Sequence, residues 1–169
     1  MPTDLKFSLD VSAKAVERET GIGVGAVASQ LIHQLTFGGE YANGTGASQS
    51  DVVFSGTASI STATALDVRG SLNSVLTGDA ANFVELTALV LKNNSSTAGQ
   101  YVTVGAGSNP VSSLWAASGD AAIVGPGGLL VLTSPIDGYA TSAGTADTIT
   151  LTPATGTISV DYILVGRSA

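Results

Sequence analysis

Hydrophobic and polar residues alternate along most of this chain with a period of two. Leu5, Phe7, Leu9 and Val11 interleave with Lys6, Ser8, Asp10 and Ser12, which predicts a strand with one wet face. Ala13 to Thr20 reads as one or two helical turns, and the glycines at 21, 23 and 25 stop any continuation. This region is expected to be an extended arm or loop. Leu31, His33, Leu35 and Phe37 alternate again until Gly38-Gly39 and the Asn43 to Gly46 run. Asp51 to Phe54 is a short apolar run closed by Ser55-Gly56, and Thr57 to Val68 alternates over a longer reach.

The strongest apolar segment, Asn82 to Lys92, is expected to turn Val84, Leu86, Ala88 and Val90 to the core, with Leu89 and Leu91 adding burial on the other face. Asn93 to Ser96 reads as a turn, and Gln100 to Val104 as the second arm of a hairpin. Leu114-Trp115 falls in an irregular segment whose Trp is expected to cover one end of the core. Ala121 to Val124 leads through Gly125-Pro126-Gly127-Gly128 into the apolar strand Leu129 to Leu132. Ile149 with Leu151, and then Ile158, Val160, Tyr162 and Leu164, complete the series.

Roughly eight to ten strands with frequent turn signals and no long helix favour an all-β fold, an antiparallel two-sheet sandwich of jelly-roll-like form with an extended N-terminal arm. The expected division is residues 1–50 as N-terminal strand and arm, and 51–169 as the sandwich. No fixed repeat points to a solenoid or propeller.

Composition narrows the function. Charged residues are 11% of the 169, against about 25% in an average soluble protein, and the mean hydropathy is +0.37. Serine and threonine keep the surface wet instead. No stretch approaches the roughly 18 apolar residues of a spanning helix, and Glu17, Arg18 and Glu19 before the Ile22 to Ile32 stretch are the wrong charges for a signal peptide. The chain is expected to be made in the cytoplasm without a membrane partner. A net charge of -7 with only six scattered bases disfavours nucleic acid, which binds through clustered Lys and Arg. The absence of cysteine removes disulfides, thiolate catalysis and Cys-ligated metals.

Candidate chemistry is sparse. Gly21-Ile22-Gly23-Val24-Gly25-Ala26 matches a loose dinucleotide fingerprint, but charged residues rather than a buried strand precede it. The single histidine, His33, shares strand parity with Leu31, Leu35 and Phe37, where a packed residue is the simpler reading than a catalytic base. Glycoside cleavage needs two carboxylates in one cleft; Asp137, Asp147 and Asp161 are the set whose convergence would supply them. Loop acids near Asp120 or Asp137 offer at most weak calcium binding. Asn93 and Asn94 each begin an N-x-S pattern, relevant only on a eukaryotic secretory route. Trp115 and Tyr139 are candidates for a sugar-stacking pair. No cofactor is implied.

From Leu89 to Arg167 the chain carries, in order, LVLKN, YVTVGAGSNPVSSLW, GPGGLLVLTSPIDGYATSAGTADTITLT and VDYILVGRS. This half resembles small β-sandwich virion proteins of tailed bacteriophages, with the GPGG turn and the Gly138 to Asp147 segment as its most specific parts. The resemblance implies a structural, non-enzymatic capsid cement or decoration protein on the virion surface, forming a homotrimer and binding the major capsid protein. Expected capsid or inter-subunit contacts are Leu5, Phe7, Leu9, Val16, Val24, Val27 and Trp115. A tail-associated or fibre-tip protein binding a host glycan through Trp115 and Tyr139 is the alternative, and a glycan hydrolase the least favoured.

Overall fold

The structure is a computed structural model that describes residues 7–19, 29–70, 72–73, 80–105, 107–117 and 119–169. It divides into two compact units, Lys6–Ala42 and one containing Asn43–Ala169. The first is a ribbon of two long strands, β1 (Phe7–Glu19) and β2 (Ser29–Tyr41), paired antiparallel from end to end. Ala13–Glu19 is therefore strand rather than the expected helical turns. Each of its residues has a cross-strand partner in β2, and such pairing overrides the weak helix preference of a few Ala, Lys and Glu residues. The glycine-rich stretch after it lies outside the described residues.

In the second unit β3 (Val52–Ile60), β11 (Ile158–Arg167), β5 (Glu85–Asn93) and β8 (Leu129–Thr133) form one sheet in that order, with β9 (Tyr139–Ala140) also beside β5. The other sheet runs β4 (Thr64–Asp67), β10 (Thr148–Pro153), β6 (Val102–Gly105) and β7 (Ala121–Val124). All the strand pairs are antiparallel. The expected all-β, two-sheet antiparallel sandwich is the fold observed. No helix of the described residues is long and apolar enough to cross a membrane.

The pairing is nested. β3 meets β11, β4 meets β10, β5 meets β8 and β6 meets β7, as if one long hairpin had been rolled into two facing layers. β5 and β6 consequently belong to different sheets and are not the hairpin expected across Asn93 to Ser96. That turn carries the chain from one layer to the other. β3 likewise runs through Ser55-Gly56 and breaks only at Ser61, because β11 supplies partners along the whole of it.

Leu89 and Leu91 of β5, Val160 and Leu164 of β11, and Val104 and Leu151 of the facing sheet are fully buried between the layers. Burying a side chain of this size contributes about 1.5 to 3 kcal/mol. Alternation alone assigns the wrong face of β5 to the core, because a bulge intervenes. Leu86 pairs with Gly166 and Ala88 with Val165, so Thr87 is the extra residue and the parity shifts across it. Leu86 stays in the core; Ala88, although fully buried, and the half-buried Val90 lie on the face opposite Leu89 and Leu91. At the bulge the Glu85 carbonyl approaches Gly166 so closely that no Cβ fits there.

The sandwich unit begins at Asn43, ahead of the expected boundary at Ser50, because the 43–50 segment is fastened to it. Ser50 Oγ and Thr87 Oγ1 share a buried hydrogen bond of 2.8 Å, and Ser48 N donates to Pro135 O at 2.7 Å. Arg167, buried at the end of β11, completes the fastening. Its guanidinium pairs with Glu85 at 2.6 Å and donates to the carbonyls of Gln49, Pro135 and Ile136.

Candidate interaction surface

β7 and β8 are the end strands of their sheets, and the turn that joins them places both edges on one side of the sandwich. Gly128 N donates to Gly125 O at 2.9 Å, closing a turn with Pro126 second and Gly127 third. Gly127 has φ 69°, the positive value that the third position of a type II turn demands. From Ala121 to Ile136 the sequence contains no charged residue.

This segment also concentrates exposed apolar side chains. Among the described residues the large exposed hydrophobics are Ile123 at 69%, Ile136 at 64%, Leu129 at 57% and Tyr101 at 41%. The first three lie within the uncharged run. Tyr101 precedes β6, two residues from the Thr103 that pairs with Ile123, and so shares that outward parity. On the other layer Ile163, Val90 and Val131 stand in one cross-strand row, each half-buried, and extend the apolar surface inward from β8. Sheet edges in soluble proteins are commonly guarded by lysines, prolines within the strand or bulges. Neither of these strands has such a guard.

A buried asparagine holds the corner in shape. Asn93 is fully buried; its Nδ2 donates to Gln100 O at 2.8 Å and Val124 O at 3.1 Å, and its Oδ1 accepts from Ser95 N at 3.0 Å. Its backbone N donates to Gly128 O at 3.0 Å. One residue thus ties the end of β5 to the entry of β6, the exit of β7 and the turn before β8. Ser95 Oγ also donates to Gln100 Oε1 at 2.5 Å. The corner is therefore held in shape by its own hydrogen bonds.

Leu5, Val24 and Val27 are outside the described residues. Phe7, Leu9 and Val16 occupy β1, opposite Tyr41, Gly39 and Ile32, and His33 occupies β2 opposite Ala15. Trp115 follows a 3₁₀ turn (Ser112–Leu114) and packs half-buried on the core. Tyr139 also packs there, its hydroxyl donating to Thr133 O at 3.2 Å, and burial pushes its pKa up. Ser113 Oγ donates to Ala140 O at 2.8 Å, so the segments carrying these two aromatics adjoin. Ile123, Leu129 and Tyr101 were not among the expected contacts. The missing signal was the uncharged run itself.

Asp161, Asp147 and Asp137 sit in three different settings. Asp161, on the outer face of β11, accepts from Thr57 Oγ1 at 2.7 Å. That bond first, then one from Asn94 and the nearby Lys92, hold its carboxyl below the usual 3.8. Asp147 is buried and accepts from Gly144 N, while Asp137 is exposed in the turn after β8. Among the described residues no group of three His, Cys, Asp or Glu is placed to hold a metal ion. No family model matches the chain, and no curated protein matches it in sequence.

Proposed function

We propose that the chain is a non-enzymatic structural protein of a tailed-phage particle, seated on the capsid surface, where it binds the major capsid protein and reinforces the shell. The observation that carries this reading is the uncharged Ala121–Ile136 segment, whose two strands are unguarded sheet edges with Ile123 and Leu129 standing out of them. A chain of net charge -7 repels partners of like charge over most of its surface, and this side is where close approach costs least. Open strand edges there accept a strand of a neighbouring subunit through main-chain hydrogen bonds, with apolar side chains filling the contact. Repeated over a particle, many modest contacts add through avidity.

The nested pairing of eight strands supports the jelly-roll form of sandwich, an architecture used by viral capsid domains. The likeness of residues 89–167 to phage virion proteins directs the choice of particle. An antibody against the purified chain, applied to the phage particles whose genome encodes it, tests the reading. Label on head faces or vertices supports it; particles without label overturn it.

A second reading, a tail or fibre-tip protein that binds a host glycan, is favoured by the Ser113 to Ala140 bond that sets the Trp115 and Tyr139 segments side by side. It predicts label at the tail and glycan binding that Trp115→Ala abolishes.

A further inference from the structure

Six asparagines are spread along the chain, and the structure sets one of them apart. An asparagine carries a latent reaction, because the main-chain nitrogen of the next residue can close a small ring on its side-chain carbonyl carbon. The ring closes readily only where the asparagine is exposed, the next residue is small and its N–H is not held in a hydrogen bond. Most of the six are shut off. Asn82 precedes the buried Phe83, whose N–H donates to Val68 O at 2.9 Å. Asn93 is buried, and the N–H of Asn94 after it donates to Ser159 O at 2.9 Å. Asn94 is followed by Ser95, whose N–H donates to Asn93 Oδ1 at 3.0 Å. Asn109 precedes Pro110, which has no N–H. Asn73 precedes a serine that lies outside the described residues.

Asn43 is exposed and stands in the one Asn-Gly step of the sequence. Gly44 N reaches Ser50 O at 3.4 Å, beyond the roughly 2.7 to 3.2 Å of a normal N–H···O bond. The turn itself requires glycine at this position. Its φ is 144°, and a Cβ there would lie 2.5 Å from Gln49 Oε1, which accepts from Gly46 N at 2.9 Å. The geometry of the 43–50 segment thus demands the residue that leaves the Asn43 amide open to attack.

We propose that Asn43 is a site of spontaneous covalent modification, through which the protein acquires an aspartate or isoaspartate as it ages. Gly44 N, on losing its proton to hydroxide, bonds to Asn43 Cγ; the Cγ–Nδ2 bond breaks, and Nδ2 leaves as ammonia. A succinimide remains in the chain. Water then adds to one of its two carbonyls, and the ring opens to aspartate or to isoaspartate. The net change is one water consumed and one ammonia released, with no oxidant or reductant. Either product adds a negative charge to a chain of net charge -7, and isoaspartate also lengthens the main chain at the first residue of the Asn43–Ala169 unit. Asp137-Gly138 is the comparison within the molecule. It forms the same ring in principle, but Gly138 N donates to Ser134 O at 3.0 Å, a normal bond that withholds the nitrogen.

Full-length protein incubated at mildly alkaline pH and sampled over days tests the proposal. Isoelectric focusing is expected to show conversion to a form one charge more acidic, at a rate that rises about tenfold per pH unit because the attacking nitrogen must be deprotonated. Methylation by an isoaspartate-specific carboxyl methyltransferase, followed by proteolysis and mass spectrometry, should place the label on residue 43 and not on 94 or 137. Asn43→Gln, whose longer side chain cyclises far more slowly, should lose the acidic form. An unchanged charge in the unsubstituted protein, an acidic form that persists in Asn43→Gln, or label on residue 94 or 137 overturns the proposal. If Asn43→Gln misfolds, site mapping on the unsubstituted protein decides alone. The inference does not depend on which particle the protein serves.

Discussion

Asn93→Leu tests whether the β7–β8 corner is held by one side chain. The substitution keeps the branching of the side chain but is bulkier and deletes two donors and one acceptor, leaving Gln100 O, Val124 O and Ser95 N without their partner. An orphaned buried group costs about 1 to 3 kcal/mol. Ser95 and Gln100 are half-buried and regain water, about 1 kcal/mol each by that scale, whereas Val124 is buried and takes about 2. Burial of the leucine side chain returns about 1 kcal/mol, less than its full transfer value because the site is shaped for an amide. The net loss is about 3 kcal/mol. Urea denaturation followed by the fluorescence of the single tryptophan reads it, and with a slope of about 2 kcal/mol/M the midpoint falls by about 1.5 M. Native-state hydrogen exchange should quicken at the amides of β7 and of the turn, ahead of those in β11. A stability loss below about 0.5 kcal/mol, as for an ordinary surface substitution, would refute the reasoning.

Other expectations follow from the same structure. Ile123→Lys and Leu129→Lys, at sites 69% and 57% exposed, should change stability by less than about 0.5 kcal/mol yet abolish co-sedimentation with phage heads; retained binding contradicts the assigned surface. Arg167→Met should cost about 3 kcal/mol in the urea assay and free the 43–50 segment to limited proteolysis, while Glu85→Gln, with its side chain 31% exposed, costs about 1. Asp161 has a folded pKa below its unfolded value, so its contribution to stability is present above the unfolded pKa and lost as pH falls through the folded one. An NMR titration should place its midpoint below 3.8, and Thr57→Val should move it upward; an unmoved midpoint contradicts the assigned cause.

The strands and the fold class were legible because period-two alternation survives in nearly every segment, and the Gly, Asn and Pro turns mark where each ends. Pairing was not legible. The Asn93 to Ser96 cluster has the composition of a hairpin turn, and only the nested partners of β5 and β6, distant in sequence, assign those strands to different layers. The bulge at Thr87 has no local signature either, since it depends on Gly166 lying opposite. Asn93 illustrates the same limit. As a letter in an N-x-S pattern it reads as a solvated turn residue, whereas three hydrogen bonds from separate segments make it the buried centre of the corner. The candidate surface lay in plain view as an uncharged run, but its importance emerges only once both of its strands prove to be sheet edges.

A high-resolution image of the intact phage particle tests the central claim most directly. The account predicts density for the sandwich on the outside of the head, with Ile123, Leu129 and the Gly125 to Gly128 turn against the major capsid protein. Density that places the β7–β8 side toward open solvent, or a head surface bare of this chain, contradicts it.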